Sequence, residues 1–321
     1  MQTWRDFIPS LFVPPQEVSQ QQRKSNASSA GLSSDTLAAL VDNATLRPSS
    51  IGQDPELVHR LSLFLQHSLA EDPVMQQTVP DHVLQDWSAL KRQLARTNQV
   101  EERDTQRYCC LCLDFVLSIL HEIRPATAAT CRLREQSTVN LSALGIMPDV
   151  IIDGNNKTGR SIHFLLEVKT NAVLRNHLGA IDSLNVNLDW QNNKIASQAY
   201  CSSQPITMIT KLVAFMQRQE LPFAFICDGT RYMVLQTCTI NDECLVAVSS
   251  MNPFGSAYPP FVPIVLASIL ATVGDQSTLP SMLSIPAALG TRLGALSPIQ
   301  HPDESRRQHV EQIGVKPRLP S

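Results

Sequence analysis

The sequence predicts an α/β (α+β) fold, a central mixed sheet flanked by helices and preceded by an N-terminal helical segment. Three observations predict it. A long apolar helix pattern, Tyr108 to Ile123, is followed by strand patterns at 149–153 and 161–170. A second helix, Pro205 to Gln219, places Ile206, Ile209, Leu212, Val213 and Met216 on one face. A hairpin signal then joins Phe223–Cys227 to Tyr232–Cys238 through Asp228-Gly229. Helices and strands in this order build a layered domain over about 105–275.

Taken in order, residues 1–35 are expected to be a disordered N-terminal segment, because the stretch from 14 is rich in Ser and Gln and poor in large apolar groups. Residues 36–104 read as helical. One piece starts near Asp35, one runs from Pro55 to Leu69 on Leu57, Leu61, Phe64 and Leu65, and one follows Pro80 on Val83, Trp87, Leu90 and Leu94. Residues 101–107, EERDTQR, read as a charged hinge. The helix from Tyr108 closes at Arg124-Pro125, since the residue before a proline disfavours helix. Cys131 to Leu141 reads as a strand with Leu133 and Val139 inward, Lys194 to Ser202 as a helix, Glu243 to Ser249 as a strand and Pro263 to Val273 as a helix. Residues 276–321 are expected to be an irregular, largely disordered tail.

Composition narrows the function. Apolar residues make up 43% of 321 and charged ones 17%, enough for a real core. The net charge is −3, and twelve Lys/Arg balance twelve Asp/Glu between 106 and 250, so no global field favours nucleic acid. Positive charge for phosphate would have to come from Arg132, Arg134, Lys157, Arg160, Arg175 and Lys194 gathering around a site. The eight cysteines form no disulfide framework and sit mostly in apolar runs such as Tyr108-Cys-Cys-Leu-Cys-Leu113, which argues for a reducing compartment. Four Asn-X-Ser/Thr matches are read as chance. With early charges at Arg5 and Asp6 and no apolar run long enough for a bilayer, the expectation is an intracellular protein, cytoplasmic or nuclear, with no membrane partner. Gly-rich phosphate loops, G-x-S-x-G and H-E-x-x-H are absent. Cys109, Cys110 and Cys112 lack the partners a structural zinc needs.

The chemistry rests on PDVIIDGNNKTGRSIHFLLEVKT, residues 148–170. Strand alternation puts His163, Leu165, Glu167 and Lys169 on one face, and Asp149, Ile151 and Asp153 on one face of the strand before. Pairing those strands around the turn at 154–160 sets Asp149 beside Glu167 and Lys169. Two carboxylates and an ammonium at one sheet edge suit a hard divalent ion, Mg²⁺ or Mn²⁺, and phosphodiester hydrolysis. The same three residues are also readable as a surface salt-bridge cluster capping the two strands. His163 reads as a packed or surface histidine, and Asp228-Gly229 as a turn.

Pro148-Asp149, a strand, a turn and then Glu167-Val168-Lys169 resembles the PD-(D/E)XK nuclease-like superfamily, in particular the nuclease-like domains of fungal proteins. The helix holding Gln198-Ala199-Tyr200 and the strand pair after Phe223 agree with it, over about residues 105–250. The resemblance implies a restriction-endonuclease-like core, Asp149, Glu167 and Val168 at the metal, Lys169 orienting a water, and Gln198 supporting the centre from its helix. It implies Glu122 as the nearest acidic residue on the preceding helix. It also implies nucleic acid as partner, DNA before RNA. Two features depart from the pattern, the Gln-to-Tyr spacing and the interruption at Pro205. A catalytically inactive fold, binding nucleic acid or a protein partner through the N-terminal helices, is the alternative.

Overall fold

The computed structural model describes residues 1–20, 48–70, 72–135, 148–156, 159–175, 185–187, 190–191, 194–195, 204–240, 243–254, 260–273 and 283. Its centre is a mixed sheet flanked by helices. The helices are α1 (Trp4–Phe7), α2 (Leu57–Ala70), α3 (Asp81–Leu94), α4 (Glu102–Ile123), α5 (Pro125–Ala128), α6 (Gln204–Arg218) and α7 (Phe261–Val273). The sheet runs in the order β4 (Arg132–Glu135), β5 (Val150–Asn156), β6 (Gly159–Val168), β10 (Phe223–Cys227), β11 (Arg231–Ile240), β12 (Glu243–Val248), β2 (Pro48–Gln53), β7 (Asn185–Asn187), with β13 (Asn252–Pro253) beside β11. Two small pairs stand apart, β1 (Glu17–Val18) with β3 (Asn98–Gln99), and β8 (Trp190–Gln191) with β9 (Lys194–Ile195). The pairs β6–β10 and β12–β2 are parallel, and the other neighbours in the sheet are antiparallel.

Alternation along the strands feeds two cores. Val150, Ile152, Phe164, Leu166, Val168, Phe225 and Val234 face one way, against α2, α3, α4 and α7. Ile151, Leu165, Ala224, Ile226, Met233 and Leu235 face the other, against Ile206, Ile209, Leu212, Val213 and Met216 of α6. Strands covered on both faces read as continuous apolar runs, which is why β6 shows Phe164-Leu165-Leu166 without polar interruption. The helix α7 is apolar all round because it is buried against α2, α4 and the sheet.

Several expectations fail, each for a local reason. Residues 1–20 belong to the core: Trp4, Phe7, Ile8, Leu11 and Val13 are buried, and Trp4 N–H donates to Gln77 O. The sparse apolar groups of this segment are spaced as anchors rather than as a period. The N-terminal region is not wholly helical, since Pro48–Gln53 enters the sheet as β2, parallel to β12. The charged run 101–107 is no hinge but the first turns of α4. Glu101 and Asp104 form a reciprocal capping box, each side chain accepting the other residue's main-chain N–H. Lys194–Ile195 is a strand and not the start of a helix. The Asp35 helix, Val139, and residues 196–203 including Gln198 lie outside the described residues. So does most of the C-terminal tail, apart from a buried Leu283 whose carbonyl accepts from Gln236 Nε2. No helix among the described residues is long and apolar enough to cross a membrane.

Truncating Phe7, 2% exposed, tests whether the first residues stabilise the fold. Phe7→Ala should cost about 3–5 kcal/mol in urea unfolding. A cost below about 1 kcal/mol, the range of surface substitutions, would detach this segment from the core.

Candidate active site

The parallel strands β6 and β10 end side by side, where Lys169 N–H donates to Cys227 O at 2.9 Å. The antiparallel register Val150↔Leu166 carries Asp149 to the same level, opposite Glu167. Glu167 is 1% exposed. Its Oε1 accepts from Lys169 Nζ at 2.9 Å and from Lys211 Nζ of α6 at 2.9 Å, while its buried Oε2 has no hydrogen-bond partner among the described residues. Asp149 Oδ2 accepts the Val168 N–H at 2.6 Å and stands 3.7 Å from Lys169 Nζ. The Asp149 main-chain oxygen accepts from Gln106 of α4 at 3.0 Å. Lys169 Nζ also donates to Val168 O at 2.7 Å and lies 3.7 Å from Glu102 Oε1.

Burial, then the nearby Glu167 carboxylate, pushes the Asp149 carboxyl up to about 6, against the opposing pull of Lys169 and the Val168 N–H. Burial alone would pull the Lys169 ammonium down, but Glu167, Asp149 and Glu102 outweigh it and hold its pKa above the ordinary value. The cluster is therefore centred on the buried Glu167 carboxylate, with Lys169 and Lys211 around it and Glu102 at the rim, a buried charge set rather than a solvated cap.

The chain leaving β6 is fixed by a second polar group. Asn171 Nδ2 donates to Asp228 Oδ2 at 2.9 Å, and Gln99 Nε2 donates to Asp228 O at 3.1 Å. Asp228 Oδ1 closes its own turn on the N–H groups of Thr230 and Arg231. Gly229 there has φ +75° and its carbonyl accepts from Gln16 N–H, and a side chain on it would strike Gln16.

The structure thus brings Asp149, Glu167, Val168 and Lys169 together. It does not bring Glu122, which lies at the far end of α4 beside His82. The acidic residue of that helix at the cluster is Glu102, which the sequence hides because the capped first turn of α4 has the composition of a charged hinge. Lys211 falls off the apolar face of α6 formed by Ile206, Ile209, Leu212, Val213 and Met216, so the helical period carries no signal for it. Asp153 is buried but pairs with Arg134 at 2.9 Å. A register shift at Ile152/Asp153 interrupts the alternation that put His163 in line with Glu167, and His163 packs against Gly154. Of the cations expected to gather, Arg134 is engaged with Asp153, and Arg132 donates to the carbonyls of Ala129 and Cys131. Lys157, and the side chains of Arg160 and Lys194, lie outside the described residues.

As a donor set, the carboxylates of Asp149 and Glu167, the latter with Oε2 unpartnered among the described residues, and the Val168 carbonyl fit a hard divalent ion. Among the described residues no three His, Cys, Asp or Glu side chains gather into a metal-binding group. A cavity of about 320 Å³ lies elsewhere, between α1, α2 and the start of α7, lined by Ile8, Leu65, Leu69 and Pro263. Comparison with protein-family models, curated proteins and solved structures gives no match.

The raised Asp149 carboxyl fixes a pH dependence. The folded protein holds that proton more tightly than the unfolded chain, so the stabilisation is complete below about 3.8 and is lost as pH rises through about 6. Asp149→Asn should therefore melt higher than wild type at pH 7.5 without metal, by an amount worth about 1–3 kcal/mol, with the gap closing by pH 4. Thermal melts at both pH values check it. A variant less stable at pH 7.5 would mean that the carboxylate is a net stabilising partner of Lys169.

Proposed function

We propose that the chain is a divalent-metal-dependent hydrolase of nucleic-acid phosphodiester bonds, with DNA before RNA as substrate, on a restriction-endonuclease-like core. The observation that carries the reading is the convergence of Asp149, Glu167 and Lys169 at the carboxyl ends of β6 and β10, with one oxygen of the buried Glu167 unpartnered among the described residues. Asp149, Glu167 and the Val168 carbonyl would hold Mg²⁺ or Mn²⁺. Bound there, the ion supplies a Lewis acid for a phosphoryl oxygen.

The chain's own groups do the rest. Lys169, whose charged form the neighbouring carboxylates favour, stabilises negative charge growing on phosphoryl oxygens and orients a water by hydrogen bonding. In hydrolysis the water oxygen bonds to phosphorus as the ester P–O bond breaks. Lys211, reaching in from α6 to Glu167 Oε1, holds the Glu167 carboxylate in place.

A second reading has its own observation. Both lysines already converge on Glu167 Oε1, which is also how a closed, non-catalytic charge cluster is built. Such a fold would serve as a nucleic-acid-binding or protein-interaction module.

Purified protein with plasmid, linear and single-stranded DNA, and RNA, in Mg²⁺ or Mn²⁺ separates the two. Metal-dependent cleavage should fall by about a hundredfold or more in Glu167→Gln and Lys169→Ala. Equal cleavage by wild type and Lys169→Ala would remove the assignment, and no cleavage of any substrate would leave the interaction module.

A further inference from the structure

The ammonium of Lys169 stands inside the oxygen set assigned above to a divalent ion. Its Nζ is 2.9 Å from Glu167 Oε1, 2.7 Å from Val168 O and 3.7 Å from Asp149 Oδ2. These are the three groups that would ligate the ion, and oxygen-to-magnesium contacts need about 2.0–2.1 Å. Two cations do not share that space. The remaining oxygen around Nζ, Glu102 Oε1 at 3.7 Å, belongs to a side chain 46% exposed, at the start of α4.

We infer that Lys169 is a tethered cation filling the site in the metal-free protein, and that uptake of a divalent ion requires it to leave Glu167 and Val168 for Glu102. This rests on the metal-site reading above. Two features make the exchange feasible. Lys211 stays on Glu167 Oε1, so the buried carboxylate is never left without a counter-charge, and Oε2, unpartnered among the described residues, receives the ion. The lysine stem has four rotatable carbons, so the ammonium travels without moving the strand. The two lysines thus differ in role: Lys211 is a permanent positioning partner, and Lys169 is the displaceable one.

Calorimetric titration of Mn²⁺ into the metal-free full chain tests this without an activity assay. Lys169→Met keeps the stem and removes the competing charge, and should bind Mn²⁺ at least about tenfold more tightly than wild type. Lys211→Met removes an equal charge from the same oxygen but vacates nothing, so its gain should be smaller. Equal gains would reduce the effect to general charge and overturn the inference. Wild-type binding with no gain in Lys169→Met would overturn it alone. No binding by any form would overturn it together with the metal site. A footprint on the wild-type protein covers a variant that fails to fold. Acetylation of Lys169, whose side chain is 16% exposed in the structure, should rise on saturation with Mn²⁺ while Lys211 stays unchanged. Unchanged reactivity of Lys169 would overturn the exchange.

Discussion

A carboxylate removed from water has to be neutralised where it sits, and Glu167 is such a group, placed at the end of a strand covered on both faces. Four elements answer to it. The strand's own continuation supplies Lys169, α6 supplies Lys211, β5 sets Asp149 opposite, and the first turn of α4 sets Glu102 behind Lys169. Breaking a buried pair by deleting one partner leaves an uncompensated charge at a cost of about 3–5 kcal/mol, so these elements are held in mutual register more tightly than apolar contact alone would hold them.

Around that charge set lies a polar frame. Gln99, Asn171 and the Asp228 turn tie the segment after Lys169 to β3 and to the β10–β11 turn, and Gln16 ties the N-terminal segment to the same turn. A network of this kind specifies one path for the backbone, because each member left without its partner would cost the desolvation of a buried polar group. On the other side of β10, Cys109 and Cys227 meet sulfur to sulfur at 3.1 Å. Burial pushes the Cys109 thiol well up, so it behaves as a packed apolar group and not as a nucleophile.

Much of the mixed α/β architecture is legible in the sequence because burial writes itself as a period. The helices α2, α3 and α6, the β10–β11 hairpin and the meeting of Asp149 with Glu167 and Lys169 follow from spacings of 3.6 and 2. What escapes is whatever carries no period. The strand β2 is Pro-Ser-Ser-Ile-Gly-Gln, with one large apolar group, and is a strand through its pairing with β12 on one side and β7 on the other. The first twenty residues hold scattered anchors. Lys211 lies 44 residues beyond Glu167, and no local pattern joins them. Glu102 was masked by its own neighbours, since a capping box and a solvated charged linker share a composition.

The place of β2 also sets a clock on folding. The parallel pairing Ser50↔Leu245 joins positions roughly two hundred residues apart in the chain. At a synthesis rate of about 5–20 residues per second, β2 leaves the ribosome on the order of ten to forty seconds before the strand it must pair with exists. Through that interval its Ser and Gly content works in its favour. A strand with little apolar surface is a poor template for wrong partners, and the weakness that hides β2 from a reader of the sequence also keeps it unclaimed until β12 arrives.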